Sequence, residues 1–292
     1  MEHVTQASPT PQRIAFIDVD GTILEHGSII APSTVTAIRS ARANGHLVYL
    51  CTGRAAGDIH PAVQEIGFDG AITNGGAFAT RGDERVVEHL MPRADVDRMV
   101  AYFEAHGIHY FLQTNDAVYA SDGIGGFVEE FFEQRRTRHA EDLKALGLDE
   151  EDEPLPMIQY RPMAEADLDA VVKSTFISSR SDTLDHAQNE LGERFHVIPG
   201  SIPLPGGSNG EIMVRGVNKG SAILEVLDLL GKDAADAVGI GDSWNDVEMF
   251  QVVGQSFAMA GADPELQAIA GRVTTGVLDD GVRNALVSAG LV

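Results

Sequence analysis

The sequence predicts an α/β protein in which a Rossmann-like core, built on a parallel sheet, is interrupted by an inserted α+β segment. Three observations carry this expectation. Short, continuously apolar runs alternate with helical patterns from residue 14 to about 82, the same alternation returns near residue 218, and the stretch between them follows a different pattern. Strand, helix, strand in repeated order calls for a parallel sheet with right-handed crossovers.

In chain order, "IAFI" from residue 14 is an unbroken apolar run, as expected of a strand buried on both faces. "PSTVTAIRSARANG" has Pro32 and Ser33 at a helix start, apolar residues at helical spacing, and Gly45 as a stop. "HLVYLCTGR" is a second buried strand, "AAGDIHPAVQEIG" a weaker helix, and "GAITNGG" a third strand that ends in a glycine turn. At the far end, "NKGSAILEVLDLLG" is a helix closed by Gly231, followed by the strand "DAVGIGD", the helix "NDVEMFQVVG", the strand "QSFAMA" and the helix "PELQAIA". The core is therefore expected to comprise residues 1–85 and 214–292, with 86–213 inserted.

The insertion begins with the amphipathic "DVDRMVAYFEAHG". It continues with "IHYFLQT" and "AVYAS" flanking Asn115-Asp116, a hairpin signal. Strand patterns "PMIQYRP", "STFISS", "RFHVIP" and "NGEIMV" follow, separated by the helical patterns "EADLDAVV" and "DTLDHAQNELG", so an antiparallel sheet is expected. The acidic run at 149–153 reads as a solvated loop.

Composition narrows the function. A net charge of −23 argues against nucleic acid as a partner, because such binding needs basic patches that displace counterions from phosphates. A small phosphorylated ligand is still compatible, since the general field is screened within roughly 8 Å at physiological salt and local cations decide. The single cysteine, Cys51, excludes a disulfide framework or thiolate cluster and suits a reducing compartment. The N-terminal residues have neither a basic region nor an apolar one, and no run approaches the length of a membrane span; a cytoplasmic protein with no membrane partner is expected.

In open parallel sheets, ligands gather beyond the carboxyl ends of the strands. The residues placed there are Asp18 and Asp20 with Gly21 and Thr22, then Thr52-Gly53-Arg54, then Asn74-Gly75-Gly76, then Gly241-Asp242 with Asn245 and Asp246; Lys219 opens the helix before the last of these strands. Each residue alone is ordinary at an element end, as a cap, a turn or a helix-start acid. Their meeting at four strand ends of one sheet favours a site. An ionised carboxylate can attack phosphorus without a base to activate it, and repulsion from the phosphate dianion is what obstructs it. Mg²⁺ held by oxygen ligands removes that obstacle, so one acid of the Asp18/Asp20 pair can be nucleophile and the other proton shuttle.

These motifs resemble the haloacid dehalogenase-like (HAD) phosphatases, in particular the Cof-type members with a type IIB cap. The resemblance spans nearly the whole chain: D-V-D-G-T at 18–22, T-G-R at 52–54, T-N-G-G at 73–76, V-N-K-G-S at 217–221, G-D-S-W-N-D at 241–246 and A-M-A at 258–260. It implies that Asp18 is the nucleophile, forming an aspartyl phosphate, and that Asp20 exchanges protons with the leaving alcohol and the hydrolytic water. Mg²⁺ would be held by Asp18, the Asp20 backbone carbonyl and Asp242. Thr52 and Lys219 would bind phosphate oxygens, with Asn245 and Asp246 supporting that shell, and Gly21, Gly53, Arg54 and Asn74 lining the phosphate and substrate side. Gly261 stands where family members commonly carry Asn, and no role is carried to it. The insertion would be the cap that reads the leaving group.

The expected activity is hydrolysis of small phosphate monoesters, sugar phosphates foremost; a mutase that passes the same phosphoryl group to another hydroxyl, and a sensor in which phosphorylated Asp18 persists, are the alternatives. Cys51 reads as core packing. "HGIH" at 106–109 reads as a structural histidine pair, "DGIGG" at 122–126 as a glycine turn, and Trp244 as packing on the cap, on a substrate or locally.

Overall fold

A computed structural model of the protein describes residues 11–147, 159–200 and 207–292. The acidic run at 149–153 and most of "SIPLPGG" lie outside the described residues.

The first strand, β1 (Ile14–Ile17), is wholly buried, in line with its unbroken apolar composition. A small antiparallel hairpin, β2 (Leu24–Glu25) with β3 (Ile29–Ile30), follows the first acidic motif. Helix α1 (Pro32–Ala43) starts on proline, whose missing N–H costs nothing at that position, and the chain leaves it through Gly45 at φ 89°. Strand β4 (Leu47–Cys51) pairs parallel with β1. The helix expected over 55–67 is broken. A 3₁₀ turn at 56–58 and the short α2 (Pro61–Gln64) replace it, because Pro61 forces His60 out of the helical region to ψ 131°. After β5 (Gly70–Thr73) the chain doubles back through β6 (Phe78–Arg81) and β7 (Glu84–Glu88), two antiparallel strands that the sequence patterns did not announce. The sheet therefore continues past residue 85.

The insertion contains α3 (Arg93–His106), the hairpin β8 (His109–Gln113) and β9 (Val118–Ala120), α4 (Gly125–Leu146), β10 (Tyr160–Pro162), β11 (Lys173–Ser178), α5 (Thr183–Leu191), β12 (Phe195–Pro199) and β13 (Ser208–Val214). Its sheet has the order β10-β9-β8-β11-β13-β12 and is antiparallel except for β10 on β9. Val214, assigned to the core above, is the last residue of this sheet. Two further expectations change. "EADLDAVV" is not a helix: Val171 and Val172 are buried, and their backbone groups bond Met91 and Gln113, so sheet contacts override a weak helical pattern. The glycine turn expected at 122–126 is shorter than that: its last two residues, Gly125 and Gly126, are the first of α4, which therefore carries a poor local helix signal.

One face of the cap sheet packs Leu112, Phe176 and Ile212 beneath Val96, Met99 and Phe103 of α3 and Leu191 of α5. On the opposite face, Ile124 and Val128 at the start of α4 cover Phe111 and Ile177. The rest of that face looks toward the core.

The chain returns through α6 (Lys219–Leu230), β14 (Ala237–Gly241), α7 (Val247–Val252), β15 (Gln255–Ala258), α8 (Pro264–Ile269), β16 (Arg272–Val273) and α9 (Gly281–Ser288). The core sheet has the order β16-β15-β14-β1-β4-β5-β6-β7 and is parallel from β16 to β5. Ile38 of α1 and Val282 and Leu286 of α9 pack in one cluster with sheet residues Ile17, Leu50 and Val238; Ile223 and Val226 of α6 pack with Phe16, Tyr49 and Met249 of α7 in the other. This sandwich brings the ends of β1, β4, β5 and β14 to a common edge. Among the described residues, no helix is long and apolar enough to cross a membrane.

Helix α6 places a lysine as its first residue. Its start is held by a capping box: the Asn218 side chain accepts from the Ser221 N–H at 2.8 Å, and the Ser221 hydroxyl accepts from the Asn218 N–H at 3.0 Å. Asn218→Ala is expected to lower unfolding stability by about 1 kcal/mol. It should appear as a lower urea midpoint with an unchanged slope; an unaltered midpoint would contradict the cap's role.

Candidate active site

The chain stays in register one residue beyond β1: the Asp18 N–H donates to the Ile240 carbonyl at 2.9 Å. There it turns through Gly21, at φ 73°, and the two aspartates part company. Asp18 points inward and is 3% exposed, whereas half of the Asp20 side chain meets solvent. The strand alternation that would aim both carboxylates one way does not extend past the end of the strand.

Each aspartate has its own cation. The Lys219 ammonium, 1% exposed, donates to Asp18 Oδ1 at 2.7 Å and to Asp246 Oδ1 at 2.6 Å. Arg54 grips Asp20 with two parallel bonds, Nε to Oδ2 at 2.7 Å and Nη2 to Oδ1 at 2.5 Å, while its Nη1 donates to the Asp58 carbonyl. Such bidentate contacts set direction as well as energy.

Asp246 is scaffold as well as charge. Its Oδ2 accepts from the N–H groups of Asp242 and Ser243 at 3.0 and 3.1 Å, which fixes the loop after β14. Asp242 in turn accepts from the Thr22 hydroxyl at 3.3 Å. Glycine is required at two of these contacts. A Cβ on Gly21 would lie 2.1 Å from Asp242 Oδ2, and one on Gly241 would lie 2.4 Å from the Asp246 carboxylate.

The neighbouring strand ends are knitted to one another. The Asn74 N–H bonds the Arg54 carbonyl, the Gly75 N–H bonds the Thr52 carbonyl, and the buried Thr52 hydroxyl accepts from the Arg54 N–H at 3.1 Å. Asn245 accepts from the Ser243 hydroxyl, and its Nδ2 lies 3.4 Å from where a Cβ on Gly53 would sit. The residues expected at the strand ends thus meet in one place.

Asp18, Asp242 and Asp246 offer oxygens that all lie within 4.8 Å of one another. The Asp20 carboxylate, engaged with Arg54, is outside this group; Asp246, expected in the supporting shell, is inside it. Against three carboxylates stands one buried ammonium, so an excess of two negative charges fits a hard divalent cation with oxygen ligands. The titration of the groups reflects that excess. Burial, helped by the Asp246 charge, pushes the Asp18 carboxyl up to about 7 against the pull of Lys219. Burial and the Asp18 charge likewise hold Asp242 well above the usual carboxylate range. Burial would pull Lys219 down, but Asp18 and Asp246 outweigh it and keep it protonated.

A family model described as haloacid dehalogenase-like hydrolase matches residues 15–286. The chain belongs to the haloacid dehalogenase-like hydrolases. Among its curated relatives, a 5-amino-6-(5-phospho-D-ribitylamino)uracil phosphatase of Bacillus subtilis is 28% identical over 281 residues, covering 91% of this chain and 94% of that protein. A pyridoxal phosphate phosphatase of Escherichia coli is 25% identical over 266 residues, covering 88% of this chain and 90% of its own length. Among solved structures, a HAD subclass IIB sugar phosphatase superposes with a TM-score of 0.76 at 20% identity, covering 96% of this chain and all of that one. A haloacid dehalogenase-like hydrolase from B. subtilis gives 0.77 at 20% identity, over 94% and 99% of the two chains. At that coverage the shared fold includes the insertion, which is the family's cap.

The other residues singled out in the sequence behave as packing groups. Cys51 is buried, and burial raises its thiol far above the range of a nucleophile. His106 and His109 each bond a backbone carbonyl, of Tyr102 and Asp122 respectively. Trp244 is half-buried in the 3₁₀ turn after β14.

Two residues of the cap escaped the sequence reading. Lys173 at the start of β11 and Glu211 in β13 form an ion pair at 2.6 Å, both buried, and Lys173 Nζ lies 3.4 Å from the Gly53 carbonyl. The available signal was a charge of each sign inside two otherwise apolar or small-residue strands, "VVKSTFIS" and "GEIMV".

Asp18 generates a pH prediction for the metal-free protein. Its folded-state pKa of about 7 stands above the ordinary 3.8, so the folded chain binds the extra proton; this contribution is fully present below 3.8 and lost as pH rises through 7. Asp242 is displaced in the same direction. In EDTA, Asp18→Asn should therefore lose less stability than the unsubstituted protein between pH 4 and 8, by on the order of 1–3 kcal/mol in urea melts. Parallel pH profiles for the two proteins would contradict the assignment.

Proposed function

We propose that this HAD-family phosphoric monoester hydrolase cleaves small phosphate monoesters, with sugar phosphates the leading class, through a phosphoryl group carried on Asp18 with Mg²⁺ as cofactor. The observation that supports it most is the buried contact of one ammonium with Asp18 and Asp246, set beside Asp242 at the edge of the parallel sheet. The names of the relatives agree in kind: the substrates they print are a ribityl phosphate, pyridoxal phosphate and, for one solved structure, sugar phosphates.

Asp18 uses the oxygen that Lys219 does not hold to form a bond to phosphorus as the bond to the leaving oxygen breaks. Lys219 and the Thr52 hydroxyl hold the transferring group's oxygens, and Asp20 delivers a proton to the departing alkoxide. In the second half, Asp20 takes a proton from the water that attacks phosphorus, which frees phosphate and restores the Asp18 carboxylate. A guanidinium in bidentate contact favours the ionised acid, so Asp20 must leave Arg54 to carry its proton, and its half-exposed position leaves room to do so. Asp18, Asp242 and the Asp20 backbone carbonyl would hold Mg²⁺, whose positive charge when bound offsets the repulsion between an anionic nucleophile and the phosphate.

The segment between β7 and α6 acts as the cap that excludes water and meets the leaving group. With its one thiol buried, the chain suits a reducing compartment, and we place the enzyme in the cytoplasm.

Inorganic phosphate release from a panel of phosphorylated metabolites tests the proposal. Turnover should require Mg²⁺ and stop with EDTA; Asp18→Asn should abolish it, and Asp20→Asn should reduce it about 10²- to 10⁴-fold. Near-normal turnover by Asp20→Asn would remove the shuttle role, and isomer formation in excess of phosphate release would replace hydrolysis with intramolecular transfer.

A further inference from the structure

The open face of the cap sheet carries an ion pair that the chemistry above does not use. Lys173 faces Met213 across the β11–β13 ladder, and Glu211 lies two residues from Met213, so all three side chains share one face. That face meets the core: Met213 Sδ lies 2.7 Å from where a Cβ on Gly75 would be, and Lys173 Nζ lies 3.2 Å from the corresponding point on Gly53. The pair thus hangs over the loops that end β4 and β5, opposite the phosphate-binding residues.

Its surroundings are incompletely satisfied. The Lys173 ammonium lies 2.6 Å from Glu211 Oε2 and 3.4 Å from the Gly53 carbonyl, so both charges of the pair are buried together. Asn74, directly before the glycine that Met213 touches, is fully buried, and neither end of its side-chain amide has a partner among the described residues. Buried acceptors and donors left open cost stability, and a buried ion pair rarely repays its desolvation, so this arrangement is poorly explained as a device for holding the fold. A ligand that both donates and accepts would satisfy it. Hydroxyl groups do both.

We propose, resting on the phosphatase reading above, that the Lys173–Glu211 pair is the specificity element of the cap, contacting hydroxyls of the leaving group with Asn74 beside it. Glu211 cancels the charge of Lys173, so the roof favours an uncharged, hydroxylated leaving group and discriminates against one that bears a second phosphate or a carboxylate. A lone lysine in the same place would do the opposite.

The test compares kcat/KM for three substrates: a polyol monophosphate, a polyol bisphosphate, and p-nitrophenyl phosphate, whose leaving group carries neither hydroxyl nor second anion. Glu211→Gln keeps the side-chain shape and should shift the bisphosphate to monophosphate ratio toward the bisphosphate by about tenfold or more. Lys173→Met should lower kcat/KM for the polyol monophosphate by about tenfold or more, with p-nitrophenyl phosphate within about threefold of the unsubstituted enzyme. Ratios unchanged within about twofold would overturn the inference, as would an equal loss on all three substrates, which marks a latch or a folding role. If the unsubstituted protein releases no phosphate from any of the three, the phosphatase reading fails and the inference falls with it; turnover with unmoved ratios defeats the inference alone.

Discussion

Everything at the active edge is organised around one buried ammonium. Lys219 is the first residue of α6, and from there it holds Asp18 of one strand end and Asp246 of another. Without it, three carboxylates would crowd a space from which water is largely excluded, and the low dielectric would force them to take up protons. With it, two negative charges remain in excess, a balance that fits a hard divalent cation.

The rest of the core can be understood as the means of delivering that lysine and its partners to one point. Parallel pairing of β1 with β4 and β14 in near-equal register ends those strands at the same level, so loops remote in sequence converge. Glycines then permit contacts that a side chain would block, most tightly where Gly21 faces Asp242 and where Gly241 faces Asp246. Asp246 contributes twice, since it binds the ammonium with one oxygen and ties down the loop carrying Asp242 with the other. Positional accuracy of this kind comes from backbone geometry and is insensitive to the exposed surface of the helices.

The two aspartates of the first motif take opposite environments although they are two residues apart. Asp18 is buried against Lys219, and Asp20 is half exposed against Arg54. The turn at Gly21, with φ 73°, sets the two carboxylates in these separate environments from a single short loop. The cap sheet differs from the core edge in charge: Lys173 and Glu211 balance one another, whereas the core carboxylates outnumber their buried ammonium.

Local chemistry determined much of this protein from the sequence by itself. Unbroken apolar runs mark β1, β4 and β14, since only strands covered on both faces dispense with polar residues, and the motifs beside them contain Asp18, Asp20, Thr52, Arg54, Lys219, Asp242 and Asp246. Other features depend on what a segment meets. The helix expected at 55–67 yields to Pro61, that at 165–172 yields to sheet contacts of Val171 and Val172, and α4 begins on glycines that give no helical signal. Only the tertiary structure decided which carboxylate each cation takes, that Asp246 joins Asp18 and Asp242, and that Lys173 and Glu211 face the core. The physical reason is that periodicity reports which side of its own element a residue occupies, whereas charge pairing depends on distances between elements that packing alone sets.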